Sequence, residues 1–423
     1  MAPPGLRIAM SVVILGNGVA ANAAASAITA SGRDLPITMV SAEAHPHYSA
    51  CVLPHYLSGE IARERVFLKT AADYAREGIS TLFGHRAVAI DIGERRLLLE
   101  DRSLRYDKLI LASGSKPAVP PIEGVDKEGV FTFKSLADAD ALASYGGETA
   151  VVVGSGPIGI EASIALKKRG WRVFLVELLD WILPRVFDRE PAAMLQEILE
   201  REQIEVLTGE RVVRILGEGR VSGVATARRE IACDLVLMVA GMVPEVELAR
   251  RPGLEVGGLG GLATDEHLLT TGADIYACGD CIEARDVVSG ERTLSLLWHN
   301  AREQGEVAGY NCAGGARAYP GSLNITGVDF LGTQAVSVGS TVESLNCEHG
   351  VEVVERRWGD NYYRLVLCHG TLVGAQAIGD TRGMGALLSA VRRRERPGGL
   401  DPALIQRSFL LAPWGGRAAR RCP

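Results

Sequence analysis

Short apolar runs alternate with glycine turns and helical stretches along the first half of the chain. Residues 12–15 form an apolar run, followed by a glycine turn, an alanine-rich stretch to about Ile28 and another run at 36–40. The same order returns later, with apolar runs at 151–153 and 172–176 on either side of a glycine turn and a helical stretch. Strand, helix and strand in this order predict two βαβ units with parallel strands.

The pattern changes in the last quarter of the chain. From about residue 317, short alternating segments replace the continuous apolar runs, which is typical of strands with one exposed face. Further strands are predicted at 97–99, 108–111, 235–240, 274–280, 323–325, 334–338 and 363–367, and a final helix at 384–391. A turn-rich stop is predicted at 112–117, a domain crossing at 117–124 and a return crossing at 241–244. The predicted fold is α/β, with two βαβ layers plus a C-terminal α+β domain.

Composition fits a protein of several domains. The 423 residues include 49 glycines and are 47% hydrophobic but only 5% aromatic, which favours an α/β protein with many tight turns. The net charge of −6 argues against a nucleic-acid-binding protein. We predict a cytoplasmic protein, because the eight cysteines lack the dense spacing of small secreted domains.

The start of the chain has some features of a secretion signal. No charged residue occurs from Ile8 to Gly32, Arg7 precedes this stretch, and residues 21–23 imitate a cleavage site. Cleavage there would remove the first glycine turn, however, so we expect the segment to be retained. No other apolar run approaches the length of a membrane span, and we expect no membrane association.

The two glycine turns have the spacing of dinucleotide-binding sites. The first is Gly16-x-Gly18-x-x-Ala21, and the second is Gly154-x-Gly156-x-x-Gly159. Glycines at such positions permit a tight turn and let a pyrophosphate approach the N-terminus of the following helix. The alternative is that the glycines serve close packing only.

An acidic residue closes the strand that follows the second turn. Glu177 is placed to accept a hydrogen bond from a ribose 2′-hydroxyl, and its charge would repel a 2′-phosphate, so NAD is favoured over NADP. Two dinucleotide sites in one chain can hold an electron carrier and a hydride donor. We therefore predict two Rossmann-like dinucleotide-binding domains plus the C-terminal α+β domain.

Four segments together resemble the pyridine nucleotide-disulfide oxidoreductases. They are Gly16-Asn17-Gly18-Val19-Ala20-Ala21, Tyr48-Ser49-Ala50-Cys51-Val52-Leu53-Pro54, Leu111-Ala112-Ser113-Gly114-Ser115-Lys116-Pro117 and Tyr276-Ala277-Cys278-Gly279-Asp280. The resemblance runs from about Val12 to Gly315. Within the family, the chain most resembles one branch, which contains coenzyme A disulfide reductases, NADH oxidases, nitrite reductase flavin modules and flavin subunits of larger dehydrogenases. Examples of such larger dehydrogenases are phenylglyoxylate dehydrogenase and tungsten aldehyde oxidoreductase.

The resemblance implies an FAD-dependent enzyme that transfers a hydride between NAD(H) and FAD. It implies an FAD-binding domain at 1–118 and 245–316, an NAD-binding domain at 119–244 and a C-terminal interface domain at 317–423. Asp280 is expected to contact the ribityl chain, the segment 112–114 to line the flavin site, and 298–305 to form a helix beside the ring. The residues implied for FAD are Gly16, Gly18, Ala21, Ser41 or Glu43, Ala112, Ser113, Gly114, Gly279 and Asp280; those for NAD are Gly154, Gly156, Gly159 and Glu177.

Cys51 matches the redox cysteine of the coenzyme A disulfide reductase and NADH oxidase types. A flavin and a helix N-terminus can lower the pKa of such a thiol, so a redox role is chemically reasonable. The alternative is a small packed residue. The first turn carries Val19-Ala20-Ala21 where NADH oxidases and peroxidases of this type have a histidine, which disfavours oxygen or peroxide as acceptor.

Other polar and cysteine residues are weaker candidates. Cys278 and Cys281 enclose the expected flavin contact, so we expect neither to hold a metal, and no metal site is predicted. Cys347 and Cys368 are expected to lie singly and buried. Candidates for an acid or base are His45, His47 and His55 near Cys51, and Glu161 on the helix after the second turn, with a solvated loop or helix face as the alternative.

Three functions remain open from the sequence. The chain is the flavin subunit of a larger enzyme with iron–sulfur and catalytic dehydrogenase subunits, or a homodimeric disulfide, persulfide or oxygen reductase working through Cys51, or a flavin-based redox-sensing binding protein. The arginine clusters at 392–396 and 417–421, with Trp414 between them, suggest a docking surface for an acidic partner. A solvated helix face is the alternative.

Overall fold

A computed structural model describes residues 10–345, 347 and 349–396, together with a strand at 420–421. The first sheet has five strands, and every neighbouring pair is parallel. In spatial order they are Ile275–Ala277, Lys108–Leu111, Val12–Leu15, Ile37–Ser41 and Ile79–Phe83. Because helices and other segments cover both faces, the central strands are continuous apolar runs. The edge strand Ile275–Ala277 follows the second sheet in the chain, so two separate segments build this layer.

Two helices beside the first sheet approach each other unusually closely. They are Val19–Ala30 and Trp298–Cys312. A side-chain carbon on Gly305 or Gly309 would lie 2.2 Å from the carbonyl oxygen of Ala20 or Ala24, respectively. Glycine is therefore required at both positions. The close contact fixes the helix Trp298–Cys312 against the helix Val19–Ala30, which follows the first glycine turn.

The second sheet also consists of five strands with parallel neighbours. In spatial order they are Ile204–Leu207, Arg172–Val176, Thr149–Val153, Leu235–Met238 and Val130–Phe131. The helices of this layer are Leu136–Ser144, Pro157–Lys168 and Arg189–Arg201, and its antiparallel strands are Val212–Leu216, Gly223–Thr226 and Glu230–Ala232. Both predicted βαβ units are thus confirmed.

The chain passes between the two layers through a short antiparallel ladder. Ser115–Pro117 pairs with Met242–Pro244, so the predicted turn-rich stop at 112–117 is in part a strand. The smaller helices are Leu53–Ser58, Ala71–Arg76 and Glu247–Arg250, with 3-10 helices at Ala50–Val52 and Arg63–Val66. The smaller strands are Ala87–Asp91, Arg96–Leu99, Ser103–Arg105, Ala284–Arg285 and Arg292–Thr293.

The third sheet is antiparallel and has the helix Met384–Arg393 packed against it. In spatial order its strands are Ile325–Phe330, Thr333–Gly339, Thr371–Ile378, Asn361–Cys368, Val351–Trp358 and Arg420–Arg421. The strand predicted at 323–325 instead begins at Ile325. The α/β fold with two Rossmann-like layers and a C-terminal sheet domain is confirmed. Among the described residues, no helix is both long and apolar enough to cross a membrane.

A buried ion pair joins the third sheet to the second layer. The guanidinium Nε of Arg364 lies 2.8 Å from Oδ2 of Asp188, at the start of the helix Arg189–Arg201. The buried amide of Gln376 donates to the same carboxylate oxygen at 3.1 Å. Burial and a hydrogen bond with Glu343 raise the pKa of Asp188 to about 7, while Arg364 opposes the rise. The pair therefore fixes the two layers to each other.

Candidate functional site

The first glycine turn leaves an open space above a helix N-terminus. Gly16 has φ +122°, and a side-chain carbon there would lie 2.1 Å from the carbonyl oxygen of Ala112. Gly18 caps the helix Val19–Ala30, and no atom lies within 4 Å of where its side chain would project. Ala21 is fully buried against the sheet. The turn thus exposes backbone N–H groups to an open space that fits a pyrophosphate.

Four segments converge on this turn at the carboxyl ends of the parallel strands. The hydroxyl of Ser113 donates to the carbonyl of Glu245 at 2.7 Å, and the amide of Glu245 donates to the carbonyl of Gly114 at 2.9 Å. The amide of Gly279 donates to Gln304 Oε1 at 2.8 Å, on the helix that begins at Trp298. The structure therefore brings the residues expected from 112–114 and 279–280 together with the first turn.

Asp280 is held in place by two residues that the sequence did not indicate. The hydroxyl of Ser115 donates to Asp280 Oδ2 at 2.6 Å, and Nζ of Lys134 lies 3.4 Å from the same oxygen. Lys134 comes from the start of the second layer, 146 residues away from Asp280 along the chain. No local sequence signal marks such a contact, because it depends on how the two layers meet.

Ser41 and Glu43 differ in their availability to a ribose. Ser41 is buried, and its hydroxyl oxygen accepts a hydrogen bond from the backbone N–H of Glu43 at 3.2 Å. Glu43 is exposed. Together with burial, its carboxylate raises the pKa of Tyr48. The serine therefore supports the loop, and the exposed glutamate carboxylate interacts with the Tyr48 hydroxyl through a hydrogen bond.

The second glycine turn repeats the geometry of the first. Gly154 has φ +108°, and a side-chain carbon on it would lie 2.5 Å from the carbonyl oxygen of Val239. Gly156 caps the helix Pro157–Lys168 and faces open space. A side-chain carbon on Gly159 would lie 2.0 Å from the carbonyl oxygen of Gly154, so this glycine serves the packing of the helix against the turn.

Glu177 is largely engaged with its own turn. Its Oε2 accepts hydrogen bonds from the amide of Ser155 at 2.9 Å and from the Ser155 hydroxyl at 2.6 Å. Its Oε1 accepts from the amide of Leu179 at 2.9 Å, and the residue is 8% exposed. A carboxylate has about four acceptor positions, so about one is left for a ribose hydroxyl. The acid thus stabilises the turn through these hydrogen bonds.

Cys51 lies in the 3-10 helix Ala50–Val52 and is exposed. Desolvation by the surrounding protein raises the pKa of its thiol, and the carboxylate of Glu161 raises it further, against smaller effects of Ser49 and Lys134. Burial raises the pKa of Glu161 to about 7, which the nearby His55 partly counteracts. These protein groups favour the neutral thiol over the thiolate.

The three histidines near Cys51 have different surroundings. Burial, and next the charge of Lys69, lowers the pKa of His47 to about 4, so this ring is neutral at neutral pH. His55 is exposed, and its Nδ1 lies 2.6 Å from a carboxylate oxygen of Glu60. The carbonyl of His45 accepts a hydrogen bond from the side chain of Asn17 in the first turn.

Two further pairs of cysteines differ in their surroundings. Cys278 and Cys281 are completely buried, and the thiol of Cys281 donates to the carbonyl of Cys278. The expectation that Cys347 and Cys368 lie singly is wrong, because they form a disulfide. Cys368 ends a strand whose partner begins at Val351, so the segment before Val351 passes beside it. His369 lies next to this disulfide.

Only part of the basic C-terminal region is described. Arg393 pairs with Glu395, and Arg392 lies 3.6 Å from a carboxylate oxygen of Glu303. Trp414 and residues 417–419 lie outside the described residues. The proposed docking surface there therefore stays a prediction.

Comparison with known proteins places these turns in a family. The family model described as pyridine nucleotide-disulphide oxidoreductase matches residues 10–305, which include both glycine turns, Cys51 and Asp280. The chain belongs to this family. Membership confirms the expected enzyme class, an FAD-dependent NAD(H) oxidoreductase, and its two cofactors, FAD and NAD(H).

Three similar proteins in this family cover most of the chain. An NADH oxidase from Methanocaldococcus jannaschii is 35% identical over 74% of this chain and 72% of its own length. The subunit epsilon of an NADH-dependent phenylglyoxylate dehydrogenase from Aromatoleum evansii is 30% identical over 90% of this chain and 91% of its own. The solved structure of an NAD-dependent persulfide reductase from A. fulgidus has a TM-score of 0.87 at 28% identity, covering 95% of this chain and 83% of that one.

Proposed function

We propose that this chain binds FAD at the first glycine turn and NAD(H) at the second and transfers a hydride between them. The observation that carries this proposal is the open space at Gly18 and at Gly156, each at the N-terminus of a helix. FAD, when bound, supplies the hydride acceptor. We assign residues 1–118 and 245–316 to the FAD domain, 119–244 to the NAD domain and 317–423 to the interface domain.

The protein contributes orientation and charge to this reaction. Glu43 has the exposed carboxylate suited to the adenosine ribose of FAD, and Asp280 is held by Ser115 and Lys134 in position for the ribityl chain. Glu177 presents its remaining acceptor position to the ribose of NAD(H), and its charge disfavours NADP(H).

We propose further that the electrons pass to a partner, so that the chain is the flavin subunit of a dehydrogenase with iron–sulfur clusters. The protein groups around Cys51 favour its neutral thiol, which is the poor nucleophile of the two protonation states. A phenylglyoxylate dehydrogenase subunit epsilon is also 30% identical over 90% of this chain.

The second candidate is a stand-alone disulfide or persulfide reductase. It is favoured by the exposure of Cys51 together with the nearby Glu161, whose pKa of about 7 allows it to hold or release a proton at neutral pH. Attack of the Cys51 sulfur on a substrate disulfide would form a mixed disulfide and release one thiol. The hydride of NADH, which carries two electrons, and one proton from solvent would then cleave the mixed disulfide, restoring the free cysteine and releasing the second thiol.

Isolation of the tagged chain under anaerobic conditions from its native cells tests the choice. We expect an iron–sulfur protein to co-purify with the chain. NADH should reduce its clusters through the wild-type chain, and much more slowly through a Gly156→Ala variant. Electron paramagnetic resonance measures the reduction of the clusters. If no cluster is reduced and the chain alone reduces coenzyme A persulfide at a rate that Cys51→Ser abolishes, the second candidate replaces the first. Slow turnover with every acceptor would instead indicate a redox sensor.

A further inference from the structure

Three side chains with metal-binding chemistry meet at one end of the third sheet, in a region that the proposed function does not use. They are Cys347, Cys368 and His369, and the possible ligand atoms of all three lie within 4.8 Å of one another. Cys347 and Cys368 are half-buried, and His369 is exposed. The cluster is therefore open to reductants and ions in solution.

The backbone at His369 has a conformation that histidine rarely adopts. His369 and Gly370 form the two-residue turn between the strands Asn361–Cys368 and Thr371–Ile378, with φ +51° and +72°. Such a turn favours asparagine or glycine at its first position, so histidine is an unusual choice there. The turn places this imidazole directly after Cys368.

The opposite segment is shaped to accommodate the imidazole. The carbonyl of Gly350 accepts a hydrogen bond from the amide of His369 at 3.0 Å. Gly350 has φ +84°, and a side-chain carbon on it would lie 2.7 Å from Nδ1 of His369. A larger residue at this position would meet the imidazole, so the ring or the backbone would have to shift.

We propose that Cys347, Cys368 and His369 form a zinc site when the disulfide between the cysteines is reduced. Two thiolates and one imidazole are the ligands that zinc prefers, and a water molecule would complete the tetrahedron. Ligand atoms around tetrahedral zinc lie about 3.3–3.8 Å apart, so only small side-chain rotations are required.

The proposed change is a thiol-disulfide exchange followed by metal binding. Two equivalents of a small thiol reduce the disulfide between Cys347 and Cys368, giving two cysteine thiols and one oxidised small-molecule disulfide. Binding of Zn²⁺ then releases the two thiol protons to solvent. Cys347 is therefore joined to the neighbouring hairpin in both redox states of the cysteine pair. The disulfide makes the connection when the pair is oxidised, and the zinc ion makes it when the pair is reduced.

Zinc titration of the full-length holoenzyme tests the proposal. The protein is prepared in two forms, one oxidised and one reduced by a phosphine that is then removed, and each competes for Zn²⁺ with a chromophoric chelator. We expect the reduced form to bind one more zinc per chain than the oxidised form. Cobalt(II) added to the reduced form should show thiolate charge-transfer absorption.

Matched variants separate this site from other zinc-binding groups. We expect Cys347→Ser to abolish the additional zinc and His369→Ala to weaken its binding by at least about tenfold. His85→Ala removes a histidine that pairs with Asp101, and it should leave the binding unchanged. Equal zinc binding by the oxidised and reduced forms, or unaltered affinity in His369→Ala, would overturn the proposal.

Discussion

Ser155 and Glu177 are joined by two hydrogen bonds, from the serine amide at 2.9 Å and from its hydroxyl at 2.6 Å, to one carboxylate oxygen. The acid that selects the nucleotide in our proposal therefore also fixes the turn that holds the pyrophosphate. Because both groups are buried, a change in the carboxylate should alter nucleotide binding more than an exposed charge would.

Replacement of Glu177 by glutamine should weaken NADH binding and reduce the preference over NADPH. The amide cannot accept all three existing hydrogen bonds, and it no longer repels a 2′-phosphate. We expect kcat/KM for NADH to fall about 10- to 100-fold, as for the loss of a hydrogen bond to a charged group. Steady-state rates with ferricyanide as acceptor measure this. Glu205→Gln, on the exposed edge of the same sheet, should change little.

Gly156→Ala separates nucleotide binding from folding. The residue has φ −64° and faces open space, so alanine fits without strain in the absence of ligand. We expect the free energy of unfolding to stay within about 1 kcal/mol of wild type. NADH affinity should fall at least about tenfold, because the methyl group occupies the space for the pyrophosphate. Calorimetric titration measures the affinity, and Gly146→Ala, also in open space, is the control. Unaltered NADH affinity in Gly156→Ala would place the nucleotide elsewhere.

Glu161→Gln should lower the pKa of Cys51. The Glu161 carboxylate raises the pKa of this thiol, and it becomes charged as the pH rises through about 7. Without that charge the thiolate forms more readily, so alkylation of Cys51 by iodoacetamide should reach half its maximal rate at a lower pH. Mass spectrometry of the Cys51 peptide follows the rate. The exposed Glu197→Gln should not move the profile, and an unchanged profile in Glu161→Gln would show that the two groups are not coupled.

Arg364→Ala should destabilise the contact between the second and third sheets. The substitution removes the cation that opposes the rise in the pKa of Asp188, so the buried carboxyl either stays charged without a partner or takes up a proton, and the cost is at most about 3–5 kcal/mol. The midpoint of urea unfolding of the third-sheet domain, followed by fluorescence, measures the loss. Arg382→Ala breaks the pair between the exposed Arg382 and Asp380 and should move this midpoint little. Similar midpoints for both variants would contradict a structural role for the buried pair.

The sequence was most informative for the parallel sheets. Strands Lys108–Leu111 and Arg172–Val176 begin and end where the apolar pattern predicts, because both faces of each strand are covered. The strand Ser115–Pro117 was missed because Ser-Lys-Pro has no strand signal, and it exists only through pairing with Met242–Pro244. In the third sheet, Thr371–Ile378 was missed, since its buried run contains glycine, alanine and glutamine.

The candidate site was predictable where it depends on local backbone geometry. The glycine spacing predicted a tight turn at Gly16 and at Gly154, and both residues have positive φ. Lys134 and Ser115 were not predictable, because they reach Asp280 across 146 and 165 residues of chain. The cluster of Cys347, Cys368 and His369 was missed for the same reason, since only the register of two strands brings its members together.

Anaerobic titration of the holoenzyme with NADH tests the central claim most directly. If hydride passes from NADH to FAD and Cys51 is not a redox centre, one equivalent should fully reduce the flavin. The titration of Cys51→Ser should then be identical to that of the wild type. Both forms are titrated with the disulfide between Cys347 and Cys368 already reduced, so that this pair takes up no electrons. Consumption of two equivalents by the wild type and one by Cys51→Ser, with a charge-transfer band at the intermediate stage, would contradict our account.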